Sequence, residues 1–181
     1  MMTIEETCTS ASVLVAFATR YGATQEVAGA VAATLRESGL EVDLQLMRKV
    51  RSLKDYRAVV MGAPIYLSLW HKDAHTFLME HRQTLTGRPV AVFALGPLTT
   101  DEVELQGSQL QLYKELAKHS WLAPVALEMF VGKYDPAKLR FPDTLVARFP
   151  ASPLKDLPVT DLRDWAAIHA WANSLPAKIL T

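Results

Sequence analysis

The 181-residue chain has a single cysteine, Cys8. No disulfide can form within it, which leads us to expect a reducing compartment. Cys8 reads as a spectator on an N-terminal tail rather than as a reactive thiol. An excess of one charge is missing too: 19 Lys and Arg balance 19 Asp and Glu. Nucleic acid is thereby excluded as the main partner, because phosphate backbones call for a basic excess. No apolar run approaches the ~20 residues that span a bilayer, so no transmembrane segment is expected. The opening MMTIEETCTSAS has acids where a signal peptide has bases, and no apolar stretch precedes Val13. The expected location is cytoplasmic. Neither GxGxxG nor GxxxxGK[ST] occurs, which excludes a dinucleotide fingerprint and a Walker loop. We expect a tail over 1–11 and one domain over 12–178.

Short apolar runs carry the fold. They are VLVAFA (13–18), VDLQLM (42–47), AVVMGA (58–63), VAVFAL (90–95) and VALEMFV (125–131). Most lack strict alternation, as strands buried on both faces do. VDLQLM alternates, as an edge strand would. Helical spacing appears over Gln25–Ser38, Lys72–Leu85, Ser108–His119 and Leu162–Leu175, the last with Asp161 as expected N-cap. Strands alternating with helices imply an α/β fold: a three-layer, doubly wound, five-stranded parallel sheet. Residues 133–158 break this pattern with five prolines, and DTLVARF (143–149) within them reads as a short helix. So long a connection is either functional or a packed excursion.

In open parallel sheets, ligands sit outside the carboxyl ends of the strands. Three loops fall there. The first is ATRYGAT, residues 18–24. A strand-to-helix turn offers free backbone N–H groups and the positive end of a helix dipole. Thr19 and Thr24 add hydroxyls, Gly22 permits close approach, Arg20 adds positive charge, and no carboxylate lies in the stretch. The loop reads equally as a phosphate cradle or as a turn with Thr24 as N-cap. The second loop, GAPIYLSLWH (62–71), gathers Pro64, Ile65, Tyr66, Leu67, Leu69 and Trp70 where the chain leaves the sheet. Such a group suits a flat heteroaromatic ring; the plainer alternative is that Tyr66 and Trp70 pack on the next helix, which for Trp70 is an equal reading. The third loop brings Gly96, Pro97 and Leu98 to the same rim. Together they suggest a mononucleotide across the sheet edge.

ATRYGATQEVA, VVMGAPIYLSLWH and VFALGPL, in this order, resemble the flavodoxin-like family. The resemblance is closest to the branch that includes the menaquinone-dependent protoporphyrinogen oxidases, and WLAP (121–124) and VTDLRDWAAIHAWA (159–172) share it. It implies the strand order 2-1-3-4-5 and FMN as cofactor. Thr19, Arg20, Tyr21, Gly22, Ala23 and Thr24 would hold the phosphate. Pro64, Ile65, Tyr66 and Leu67 would run along the flavin ring, with Tyr66 stacked on it. Gly96, Pro97 and Leu98 would close the other side. Tyr21 stands where classical flavodoxins carry a small hydroxyl residue. The segment 139–153 has fewer basic residues than the corresponding insertion of the oxidase branch.

The resemblance implies an oxidoreductase passing electrons or hydride through FMN, with a quinone, another small molecule or a redox protein as partner and protoporphyrinogen as one substrate. A flavodoxin-type electron carrier and a flavin-free binding or sensor protein are the alternatives. Classical carriers are strongly acidic, which a net charge of zero does not match. A homodimer stays open. His71, just after the second loop, is the one candidate for proton transfer, and a helix-start surface histidine is its plainer reading. His75 and His81 lack a carboxylate at zinc-site spacing, so no metal is expected. Asp101, Glu102 and Glu104 read as a solvated face near the rim. His119 and His169 read as helix-surface residues, and Trp165 and Trp171 as core.

Overall fold

A computed structural model describes residues 12–66, 68–152 and 154–180. Residues 1–11, with Cys8, and the candidate Leu67 lie outside the described residues. The apolar runs form β1 (Ser12–Phe17), β2 (Glu41–Leu46), β3 (Ala58–Tyr66), β5 (Val90–Leu95) and β6 (Ala126–Phe130). They pair in parallel in the order β2-β1-β3-β5-β6, which is the expected topology. The difference is a sixth, two-residue strand, β4 (Leu69–Trp70), antiparallel to the end of β3 with Ile65 opposite Trp70. β3 therefore runs on to Tyr66 and turns back at once. Ser68 takes the turn at φ 61, in the left-handed region.

Strand periodicity divides the core. Val13, Val15, Phe93 and Leu95 face α1 (Ala23–Glu37) and α6 (Trp165–Ser174). Leu14, Ala16, Val92 and Ala94 face α2 (Lys72–Glu80) and α4 (Glu102–Ala117). On the first side Trp171 meets Phe93 and Phe130 edge-on, both at 5.8 Å between ring centroids. Each such aromatic pair adds about 0.5–1.5 kcal/mol beyond its burial.

Several element ends differ from expectation. The helix expected over 72–85 breaks at His81, and α3 (Arg82–Leu85) follows. α4 starts at Glu102, six residues before the expected Ser108, because the Asp101 carboxylate accepts from the Val103 and Glu104 amides. Asp164, not Asp161, caps α6 by accepting from Ala167 N–H. Asp161 is spent on Arg163. Trp165 is not core: it is 38% exposed, with the Arg163 guanidinium over its ring. His119 is not on the surface but 6% exposed. The proline-rich stretch contains β7 (Lys133–Tyr134) and α5 (Asp143–Arg148), and β8 (Thr160–Asp161) just after it pairs antiparallel with β7. Among the described residues no helix is long and apolar enough to cross a membrane.

Candidate functional site

Strand order reverses between β1 and β3, and a cavity of about 710 Å³ opens at their carboxyl ends. That size lies within the ~300–1,000 Å³ of small-molecule and cofactor sites. Thr19, Arg20, Tyr21, Ala23 and Thr24 line it from the first loop. Pro64, Ile65 and Tyr66 line it from the second, and Gly96, Pro97 and Leu98 from the third. Gly22 sits within the first loop between two lining residues. His71 does not line the cavity. It caps α2, its Nδ1 accepting from Asp73 N–H, and burial holds its imidazole below the ordinary range.

The first loop is shaped by Gly22. Its φ is 92°, open to glycine at no steric cost, and it takes the N-cap position that Thr24 was a candidate for. Gly22 N–H donates to Thr19 Oγ1 at 2.9 Å, which fixes the turn. The first helical bond of α1 is Glu26 N–H to the Gly22 carbonyl at 3.1 Å. The amides of Ala23, Thr24 and Gln25 thus have no acceptor inside the helix, and no side chain caps them. Thr24 is buried beside them.

The two aromatics of the second loop part company. Trp70 is buried in the core under α2, edge-on to His75 at 5.5 Å. Tyr66 lines the cavity, and its buried Oη has no hydrogen-bond partner. Burial, with Asp143 second, pushes its phenol up. Along the third loop, Gly96 N–H donates to the Phe130 carbonyl and Gly132 N–H to the Pro97 carbonyl, both at 2.9 Å. A Cβ on Gly132 would lie 2.8 Å from the Gly96 oxygen, so glycine is required for the two strand ends to approach.

Much of the wall escaped the sequence reading. Gly107, Ser108 and Gln111 line it from α4, together with Glu104, which the sequence placed near the rim only as part of a solvated face. Their spacing is that of one helix face, so the polar stripe turned to the cavity was the signal. It also hid the start of α4, since Val103 on that first turn is exposed and no apolar period begins there. Tyr134, Leu139, Leu154 and Leu157 close the cavity from the 133–158 excursion.

The excursion also brings a carboxylate to a loop that has none of its own. Asp143, 3% exposed, accepts from Arg20 Nε at 2.5 Å and from Arg20 Nη2 at 2.6 Å. Tyr21 Oη donates to the same carboxylate. The Arg20 guanidinium lies 5.0 Å from the Tyr66 ring centre. Arg20 is therefore committed to a protein carboxylate rather than free for an anion.

A second polar cluster lies between α2 and α4. His75 Nε2 is 2.9 Å from Glu115 Oε2, and His75 Nδ1 is 2.8 Å from His119 Nε2. Gln111, on the cavity wall, donates to Glu115 at 3.1 Å, and Lys118 donates to both Glu115 oxygens at 2.8 Å. Burial pushes the Glu115 carboxyl up, but its bonds from Lys118 and His75 outweigh that and leave it below the ordinary range. Burial holds His119 below its ordinary value. Among the described residues no three acids, histidines or cysteines group as a metal site.

The model of a flavodoxin domain matches residues 14–160. The protoporphyrinogen IX dehydrogenase [quinone] of Escherichia coli K12 is 29% identical over 112 residues, 60% of this chain. The chain spans about three-fifths of the length of that relative, 61%. Oxidised flavodoxin 1 from Bacillus cereus superimposes with a TM-score of 0.57 at 17% identity, covering 93% of this chain and 99% of that one. Rubredoxin oxygen:oxidoreductase from Desulfovibrio gigas superimposes with a TM-score of 0.53 at 15% identity over 93% of this chain and 37% of that one. By the extent of the domain match, and with the cavity where such a fold puts its ligand, the chain belongs to the flavodoxin domain family, whose cofactor is FMN.

Proposed function

We propose that the cavity holds FMN and that the chain is an oxidoreductase acting through it. The observation that carries this reading is the uncapped start of α1 beside a ring-sized slot at the point where strand order reverses. The amides of Ala23, Thr24 and Gln25 and the hydroxyls of Thr19 and Thr24 suit a phosphate without a free side-chain cation. The Tyr66 face, the backbone of Pro64 and Ile65, and Gly96, Pro97 and Leu98 suit the two sides of the flavin ring. Bound FMN supplies one- and two-electron transfer, and the protein supplies position and electrostatics. The likeness to the E. coli dehydrogenase supports protoporphyrinogen as a substrate and a quinone as acceptor. Leu139, Leu154 and Leu157 offer an apolar wall to such a partner. A net charge of zero favours this over a charge-steered electron carrier. The proposed location is the cytoplasm.

The test is the visible spectrum of the purified protein before and after FMN addition and desalting, followed by porphyrinogen and quinone turnover. Retained flavin supports the reading, and none in either sample overturns it. The double variant Thr19→Ala, Thr24→Ala should bind FMN at least about 100-fold more weakly, at ~1.5–3 kcal/mol per lost charge-assisted bond. Unchanged affinity would remove the threonines from the phosphate site.

A further inference from the structure

We propose that Asp143 is a positioning residue of the cofactor site, holding the Arg20 guanidinium against Tyr66 and cancelling its charge beside the cavity. The inference rests on the FMN reading above. Three observations carry it. The Asp143 carboxylate is buried and takes two parallel bonds from one guanidinium, the geometry that fixes orientation as well as charge. A third bond, from Tyr21 Oη, binds it to the next residue of the same loop. The guanidinium it orients lies over the ring of Tyr66, and Arg20 and Tyr66 both line the cavity.

The two cations on the cavity wall differ in their partners. Lys133 faces two carboxylates, Glu26 at the start of α1 at 3.5 Å and Asp161 in β8 at 3.8 Å. Arg20 has Asp143 as its carboxylate. Removing that carboxylate leaves a positive charge next to the ring slot. Removing Arg20 leaves a negative one. Reduction adds negative charge to a flavin, so the two changes act on its potential with opposite sign. A latch that merely held the excursion in place would be lost in both variants and would move the potential the same way in each.

The experiment measures the two-electron midpoint potential of protein-bound FMN at about pH 8, above the ordinary carboxylate range. Asp143→Asn keeps the shape of the side chain and should raise the potential. Arg20→Gln should lower it, and the double variant should fall between the two. Asp143→Glu keeps the charge and should stay near the wild type. Shifts of one sign in both single variants, or no shift in either, overturn the role of Asp143. Wild-type protein that takes up no FMN overturns the cofactor reading instead, and the two failures are distinct.

Discussion

Two buried carboxylates lie behind the cavity wall, each bonded to residues that line it, and they are balanced in different ways. Asp143 is held by a guanidinium and a phenol. Glu115 is held by an imidazole chain and an exposed lysine. With Glu115 ionised, His75 Nε2–H donates to it, and His75 Nδ1 accepts from His119 Nε2–H. The first cluster contains no imidazole, and the second contains two. The first reaches the cavity through Arg20 and Tyr21, which line it. The second reaches it through Gln111.

The comparison is broken most easily at Arg20. Arg20→Ala strands a buried carboxylate, and we expect a loss of about 2–3 kcal/mol in urea unfolding at neutral pH. This is below the usual figure for a broken buried pair, because the Arg20 side chain is 41% exposed. Wild-type stability in the variant would mean the carboxylate finds another cation. Next is Glu115→Gln, which keeps an acceptor for His75 and loses the charge. About 1–2 kcal/mol is expected by the same measurement.

The smallest effect is the sharpest test of the titrating cluster. His119 is held below 6.5 by burial, with His75 and Lys118 adding to it and Glu115 opposing. Its folded value is depressed, so below about 6.5 the unfolded chain binds more protons than the native one. Stability should fall as pH drops through that window, by at most ~1.4 kcal/mol per pH unit for one such group. His71, depressed for the same first reason, adds to the slope. His119→Asn should flatten the profile without abolishing it. An unchanged profile would place the pH dependence elsewhere.

How much of this could be read from residues alone follows from distance along the chain. The first loop was legible because strand, turn glycine, threonines and helix lie within one contiguous stretch, 13–37. The strand order was legible as part of the family resemblance. Trp70 and Tyr66 could not be told apart, because both lie in one apolar run and only the β3–β4 pairing decides which one faces the core. The polar stripe of α4 weakened the apolar period that marks a helix start. Asp143 was beyond reach: it meets Arg20 across 123 residues, from a six-residue helix among prolines. A stretch without an acid proved not to mean a site without one.

The pairing of β7 with β8 has a consequence for how this chain tolerates change. Lys133 lies opposite Asp161 and Tyr134 opposite Thr160, so residues 135–159 leave the fold and return to it at neighbouring points. The entropy of bringing those ends together is met by the two-strand neck, and each doubling of the loop beyond it adds only ~0.6 kcal/mol. The segment is thus a side-loop on a closed base. On either side of Asp143, which ties it to Arg20 and Tyr21, it can lengthen or shorten, and so re-cut one wall of the cavity, while the five parallel strands keep their register.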